Sequence, residues 1–125
     1  MASAELARER YVSLATFRRS GAEVRTPIWF AVVDERLLMM TGGDSGKVKR
    51  LRNNPRIRVA PSDVRGILHG PWRDGTARIV DDPRLIAQAR GMLRAKYGWQ
   101  VTLLDLFARL SGRIRRRVWL EVTLA

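Results

Sequence analysis

The sequence predicts a mainly β protein, a six-stranded antiparallel β-barrel with a few helices. Three observations lead to this fold class. Short segments that alternate apolar and polar residues recur along the chain, turn-forming residues separate them, and helical periodicity is confined to a few stretches. Because 125 residues suffice for one hydrophobic core, we expect a single domain over residues 1–125.

The N-terminal region predicts a short helix and a β-hairpin. Residues 3–10 suit a helix with Ser3 as its N-cap. Two alternating segments, 12–18 and 24–33, flank a turn in which Gly21 can adopt a positive φ angle, as is typical of a hairpin. In the second segment, side chains at even positions face one side of the strand and those at odd positions face the other.

The middle of the chain predicts further strands around one small helix. Residues 37–41 form an apolar strand, and the loop after it leads into a helix over about 47–53. Pro55 ends this helix, because its ring disfavours helical geometry at the preceding residue. Residues 56–62 alternate as the next strand, and 66–80 predict two short strands or one long bent strand broken by glycine and proline.

The C-terminal region predicts a helical pair over about 83–111 and a last strand over 113–125. Gly98 is a suitable stop between the two helices. Each helix has an apolar face, and the face of the second one requires a cover. These faces comprise Leu85, Ile86, Ala89, Leu93 and Tyr97 in the first helix, and Leu103, Leu104, Phe107 and Leu110 in the second.

The composition limits the class of protein. With 24 Lys and Arg against 12 Asp and Glu, the formal net charge is +12, which attracts nucleic acid, anionic membrane surfaces or an acidic cofactor. The absence of cysteine suits a reducing compartment and excludes thiolate chemistry. Because the N-terminus is charged and no apolar run reaches membrane-spanning length, we expect a soluble cytoplasmic protein without a membrane span.

The junction between the third strand and the small helix is a candidate phosphate site. Its sequence, TGGDSGKVKRL, places Thr41 at the strand end and Ser45, Gly46 and Lys47 at the helix start. Helix amide groups, a hydroxyl and an ammonium would then face one point, and glycine allows close approach. An ordinary strand-to-helix turn followed by a solvated basic helix fits the same spacing. The residue order of a P-loop is absent.

Pro27 and Trp29 form a second candidate unit. A proline within a strand removes one ladder donor, which often marks an edge or a place where a ligand meets the backbone. Trp29 lies on the same side and could form a wall for a planar ring. Alternatively, Trp29 simply packs inside the protein.

His69 is the only histidine and a weak candidate for a proton donor, since its pKa ordinarily lies near neutrality. A surface position without a role in chemistry is the alternative. No acidic residue stands at helical ligand spacing from it, so we predict no metal site. Without cysteine, a serine-triad signature or a carboxylate dyad, side-chain nucleophilic catalysis has little support in the sequence.

The basic run RIRRR contains Arg113, Arg115, Arg116 and Arg117. We interpret it as a strand start that either binds an acidic tail or nucleic acid, or protects a solvated edge from aggregation. Nucleic-acid binding is disfavoured, because the aromatic residues do not alternate with the basic ones as stacking platforms would.

Taken together, these segments resemble a known family. Residues 14–66, with GPWRDGTARIV at 70–80, KYG at 96–98 and VWLEVTLA at 118–125, resemble the split β-barrel, FMN-binding-like oxidoreductases related to pyridoxamine 5'-phosphate oxidase. The resemblance covers nearly the whole chain. It is strongest with a short subgroup that uses coenzyme F420, an 8-hydroxy-5-deazaflavin.

The resemblance implies a homodimer of six-stranded barrels with cofactor sites across the subunit interface. In the family pattern, Lys47 corresponds to the lysine that binds the cofactor phosphate. Relatives that use FMN often carry an arginine just before this lysine, where this chain has Ser-Gly, so the resemblance favours F420 over FMN. The implied cofactor-binding residues are Thr41, Ser45, Gly46 and Lys47 around the phosphate, Lys49 and Arg50 toward the oligoglutamate tail, and Pro27, Ile28 and Trp29 beside the ring.

The implied function is hydride transfer between reduced F420 and a small, unsaturated organic substrate that the sequence does not identify. Because the cofactor carries the reactive atom, no catalytic side chain is required beyond assistance with a proton from His69 or a backbone group. The alternatives are an FMN-binding oxidoreductase of the same fold and a non-enzymatic protein that binds a cofactor or a tetrapyrrole.

Overall fold

The computed structural model describes residues 5–125. Within this range the secondary structure comprises one seven-stranded sheet, the helical residues Glu5 and Leu6, three longer helices and a 3-10 helix. The strands are β1 (Tyr11–Phe17), β2 (Glu23–Ile28), β3 (Ala31–Val33), β4 (Arg36–Gly42), β5 (Arg56–Ser62), β6 (Arg73–Val80) and β7 (Arg117–Leu124). The helices are α1 (Gly46–Asn53), α2 (Pro83–Tyr97), α3 (Trp99–Leu110) and the 3-10 helix Arg113–Arg116.

The sheet is antiparallel throughout, in the order β2-β1-β5-β6-β7-β4-β3, and curls into a half-barrel. The predicted six-stranded barrel is therefore wrong in strand number and in closure, although the mainly β class is confirmed. The additional strand arises within 24–33, which is two strands with different partners. Thr26 of β2 lies opposite Leu14 of β1, whereas Val32 of β3 lies opposite Leu37 of β4.

Side chains from the end of α2 stabilise this break between β2 and β3. The Phe30 N–H donates to Tyr97 Oη at 3.2 Å, and the Phe30 carbonyl accepts from Lys96 Nζ at 3.3 Å. The Tyr97 hydroxyl in turn donates to the Arg10 carbonyl at 2.7 Å. Because these bonds replace ladder bonds, the buried backbone at Phe30 is satisfied where the chain changes partners.

The predicted alternation along 24–33 is confirmed and supplies two hydrophobic clusters. Ile28 and Phe30 belong to the cluster inside the sheet, and Ala31 and Val33 belong to the cluster beneath α2. The apolar face predicted for the first helix of the pair packs on this second cluster. The inner cluster also contains Leu6, Leu14, Leu37, Ile57 and Leu120, and the outer one contains Leu38, Ala89, Leu93, Tyr97 and Trp119.

The predicted helix ends agree with the structure. Ser45 caps α1, and Asn54, before Pro55, is extended with φ −149° and ψ 110°. Gly98 separates α2 from α3 with φ 61°. Of the predicted N-terminal helix, Ser3 lies outside the described residues, while Glu5 and Leu6 are helical.

Two features at the C-terminal end are notable. The last strand begins at Arg117, so the predicted strand start at residue 113 is wrong: residues 113–116 form the 3-10 helix, which follows Gly112 at φ 75°. The apolar stripe of α3 stays uncovered within the described chain, with Leu103, Leu104, Phe107 and Leu110 all exposed. None of the helices in residues 5–125 is both long and apolar enough to cross a bilayer.

Candidate functional site

A cavity of about 290 Å³ brings together five of the residues predicted for cofactor binding. It lies where β2, β4, α1 and the helical pair meet, and we call it the ring cavity. Its walls are mainly apolar, and it contains one ammonium group. The predicted residues that line it are Pro27, Ile28, Trp29, Thr41 and Lys47, and the others are Tyr11, Met40, Leu93 and Leu104.

Trp29 lines this cavity and is also held by the protein. Its indole stacks on the Tyr97 ring, with centroids 4.5 Å apart and planes 11° from parallel. Trp29 follows β2 directly, so the break in the strand places the indole between the sheet and α2. Trp29 therefore both packs inside the protein and forms a wall of the cavity, the two alternatives that the sequence left open.

Lys47 is the charged residue of the ring cavity. It is half-buried, and desolvation together with the nearby Arg50 guanidinium lowers its pKa. No carboxylate among the described residues forms an ion pair with it. A partly desolvated ammonium without a counter-ion favours an anionic ligand such as a phosphate.

The start of α1 adds amide groups beside Lys47. Ser45 Oγ accepts from the Val48 N–H at 3.4 Å. The first backbone bond of the helix runs from the Lys49 N–H to the Ser45 carbonyl, so the amides of Gly46 and Lys47 have no acceptor within the helix. This donor set suits a phosphate of a cofactor, which is the fit expected for a nucleotide-like flavin or deazaflavin. Ser45 and Gly46 themselves do not line the ring cavity.

Arg50 and Lys49, also on α1, do not line the ring cavity. Arg50 Nε donates to the buried Thr16 Oγ1 at 2.6 Å. Its guanidinium folds back over the helix start. A Cβ atom added to Gly46 would lie only 2.7 Å from Arg50 Nη1, which shows how close the two are. The space beside Gly46 is therefore occupied by Arg50, and Lys49 is exposed to solvent.

A second cavity of about 520 Å³ shares Met40, Thr41 and Leu104 with the ring cavity. We call it the arginine cavity, since three arginines of the basic run line it. Apolar atoms form much of its floor. Its remaining lining residues are Gly42, Asp44, Ala108, Arg113, Arg116 and Arg117.

His69 lines neither of these cavities. Its Nδ1 lies 3.5 Å from Glu9 Oε1 on the surface, and its backbone N–H donates to the Pro61 carbonyl. The side chain is half-exposed. Its predicted role as a proton donor receives no geometric support from this position.

Sequence reasoning missed several residues that shape the site. Tyr97 was assigned only to a helix face, although a hydroxyl at the end of an apolar stripe was a sign of a buried polar contact. Asp105 is the one carboxylate within the apolar α3, and it binds Arg117 at 2.7 Å. The partner of Asp105 could not be inferred, because the pair joins α3 to the start of β7. The sequence pattern placed that strand start at residue 113, whereas the strand begins at Arg117.

Comparison with known proteins gives one family for nearly the whole chain. The family model described as pyridoxamine 5'-phosphate oxidase matches residues 2–125. No curated protein sequence matches the chain.

Solved structures share the fold at low sequence identity. Conserved hypothetical protein Rv2991 from Mycobacterium tuberculosis has a TM-score of 0.74 at 22% identity, covering 98% of this chain and 78% of that one. HutZ, a heme storage protein from Vibrio cholerae, has a TM-score of 0.73 at 14% identity, covering 98% and 87%. A structure described as an F420 reductase has a TM-score of 0.61 at 19% identity, covering 98% and 92%.

At these identities the solved structures show the shared fold, and the family model adds the relationship in sequence. The resemblance to the split-barrel flavin and deazaflavin proteins is thereby confirmed. The half-barrel, the ring cavity and the match over residues 2–125 agree: the chain belongs to the pyridoxamine 5'-phosphate oxidase family.

Proposed function

We propose that this protein is an oxidoreductase that binds coenzyme F420 and transfers a hydride between the reduced cofactor and a small, unsaturated organic substrate. The observation that carries the proposal is the position of Lys47, an ammonium without a carboxylate partner in the described chain, at a half-buried point of an apolar cavity with an aromatic wall. This combination suits a molecule with a flat ring and an anionic arm.

The roles of the residues follow from their positions. Pro27 and Trp29, on one face of the strand, contact the ring, and Ile28, whose side chain belongs to the inner cluster, completes the same lining. Lys47 and the amides at the start of α1 bind the phosphate, and each charge-assisted hydrogen bond contributes roughly 1.5–3 kcal/mol. Thr41 and Ser45 add hydroxyl groups at the same end.

When bound, the cofactor supplies the carbon that exchanges the hydride. The protein orients the ring against its apolar wall and excludes water from the reacting face. Because Lys47 binds the phosphate, Tyr11 is the remaining titratable side chain among the lining residues, and a proton needed by the substrate comes from Tyr11 or from solvent.

The proposal includes a homodimer in the cytoplasm. A second copy would cover Leu103, Phe107 and Leu110 of α3, which form a larger apolar surface than scattered single residues produce, and would leave Leu104 lining the two cavities. Lys49 and Arg50 remain in the proposal as partners of the oligoglutamate tail. The cysteine-free sequence suits the reducing compartment.

An FMN-dependent oxidoreductase is the second candidate. It is favoured by the donor set at α1, because one ammonium and two amides also suit the phosphate of FMN. The Ser-Gly pair before Lys47 supports F420 instead, since FMN-binding relatives often carry an arginine there.

Fluorescence titration of the purified protein with F420 and with FMN tests the proposal. We expect F420 to bind more tightly and Lys47→Ala to weaken its binding about tenfold or more. Arg84→Ala is the matched control, because it removes one exposed positive charge outside the ring cavity. An equal loss in both variants would assign the effect to net charge, and tight binding of FMN alone would favour the second candidate.

A further inference from the structure

The 3-10 helix aligns two arginines that a strand would separate. In 3-10 geometry, side chains at positions i and i+3 eclipse one another. Arg113 and Arg116 have this spacing and both line the arginine cavity, whereas Arg115, between them, does not. In the strand expected from the sequence, positions 113 and 116 would face opposite sides.

The protein fixes this pair beside the ring cavity. The Gly43 N–H, in the loop between β4 and α1, donates to the Arg116 carbonyl at 2.5 Å. Arg117, directly after the helix, is bound to Asp105 at 2.7 Å, with only 10% and 13% of the two side chains exposed. Both contacts therefore fix the C-terminal end of the 3-10 helix, where Arg116 lies.

The charge in the arginine cavity is not balanced by the protein. Arg113 has no acidic partner among the described residues. Arg116 Nη1 lies 3.4 Å from Asp44 Oδ2, and the exposed fractions of the two side chains are 70% and 68%. Such an exposed pair is weak, so an incoming anion can displace it. Arg117 is already paired with Asp105.

The floor of the cavity has different chemistry. Met40, Leu104 and Ala108 are apolar, and Met40 and Leu104 also belong to the ring cavity. A ligand there can place an apolar body on the floor while its charge meets the guanidinium groups. Arginine suits a carboxylate or phosphate because its planar fork can form two parallel hydrogen bonds.

We propose that the arginine cavity is a second binding site, which takes an organic anion: a carboxylate or phosphate, bound by Arg113 and Arg116, on an apolar body that contacts Met40, Leu104 and Ala108. The inference rests on the proposed function in one respect: it takes the ring cavity as the site of the cofactor ring. The anion is either a separate substrate or an acidic arm that extends from the ring cavity.

Calorimetric titration with 2-naphthoate, and with the neutral 2-naphthylmethanol, tests the site. We expect 2-naphthoate to bind more tightly than the alcohol, and Arg113→Gln/Arg116→Gln to weaken its binding about tenfold. Arg109→Gln/Arg115→Gln is the matched control, since it removes the same charge from exposed positions outside the cavity. Lys47→Ala should change this affinity by less than about twofold. Thermal melting checks that each variant folds.

Three results would overturn the proposal: equal binding of acid and alcohol, an equal loss in the control pair, or a loss with Lys47→Ala alone. Titration of the same variants with F420, with and without its glutamates, identifies the source of the anion. A loss confined to the glutamate-bearing form assigns the site to the cofactor arm, and unchanged binding of both forms assigns it to a substrate. If neither F420 nor FMN binds the wild type, the proposed function fails while the naphthoate comparison still decides this inference.

Discussion

The indole of Trp29 stacks on the phenol ring of Tyr97, with centroids 4.5 Å apart and ring planes 11° from parallel. The same Tyr97 binds the backbone of Phe30 through its hydroxyl. One side chain from the end of α2 thus orients a wall of the ring cavity and holds the break between β2 and β3. Stability and the shape of the candidate site are therefore coupled at Tyr97.

Removing the Tyr97 hydroxyl should destabilise the fold while keeping the stacked pair. In Tyr97→Phe, the buried Phe30 N–H loses its acceptor and the Arg10 carbonyl loses its donor. We expect the free energy of unfolding to fall by about 1–3 kcal/mol, the cost of an unsatisfied buried donor. Urea denaturation measures it. Tyr11→Phe, at a half-buried tyrosine that lines the ring cavity, is the control, and an equal loss there would contradict the role assigned to Tyr97.

Lys96 should give the protein a distinctive alkaline pH dependence. Desolvation, followed in size by the Arg10 charge, lowers the pKa of Lys96 from 10.5 to about 8. Between these values the unfolded chain binds more protons than the folded one, so the free energy of unfolding rises with pH. Tyr97 acts oppositely above pH 10, because burial raises its pKa from 10.0 to about 12 and the unfolded chain loses the phenol proton first.

Denaturation of Lys96→Met and of wild type between pH 8 and 10 tests this effect. We expect the rise in unfolding free energy across that range to be smaller in the variant. Lys49→Met, at an exposed position, should keep the wild-type slope. If the free energy of unfolding rises equally with pH in Lys96→Met and in wild type, burial of this ammonium does not set the pH dependence.

Local patterns predicted the faces of the strands, and tertiary contacts decided where the strands end. Alternation assigned Phe30 and Ala31 to opposite sides correctly, because side-chain direction follows from strand geometry alone. The break at Phe30 depends on Tyr97, 67 residues further along the chain, so no local pattern could indicate it.

The candidate site was predictable to a similar extent. Lys47 and Trp29 were singled out by the strand-to-helix junction and by Pro27, and the structure places both in one cavity. The arginine cavity could not be predicted, because RIRRR reads as an alternating strand start. The positive φ of Gly112 and the bond from Gly43 to Arg116 make it a 3-10 helix instead.

Asp105 should be important for stability. Its pair with Arg117 is largely buried, and a buried ion pair that loses one partner leaves an uncompensated charge. We expect Asp105→Asn to lower the free energy of unfolding by about 3 kcal/mol in urea denaturation. Asp44→Asn breaks an exposed pair with Arg116 and should change it by less than about 1 kcal/mol. Similar losses in the two variants would mean that burial does not distinguish these pairs.

A side chain at Gly43 should destabilise the protein, because the 3-10 helix approaches the Gly43 backbone closely. A Cβ atom there would lie 2.6 Å from the Arg116 carbonyl oxygen and 3.2 Å from Val118 Cγ1. Relief of the overlap requires the 3-10 helix to move, which weakens the bond from the Gly43 N–H. We expect Gly43→Ala to destabilise the protein by about 1–3 kcal/mol in urea denaturation.

Gly91→Ala is the matched control, because nothing lies within 4 Å of the added methyl group on the exposed face of α2. Alanine has the higher helix propensity, so this variant should gain about 0.5–1 kcal/mol. Gly43→Ala should also weaken 2-naphthoate binding, since the helix that moves carries Arg113 and Arg116. A Gly43→Ala variant as stable as wild type would show that the 3-10 helix shifts freely, and the alignment of the two arginines would then not be fixed by this contact.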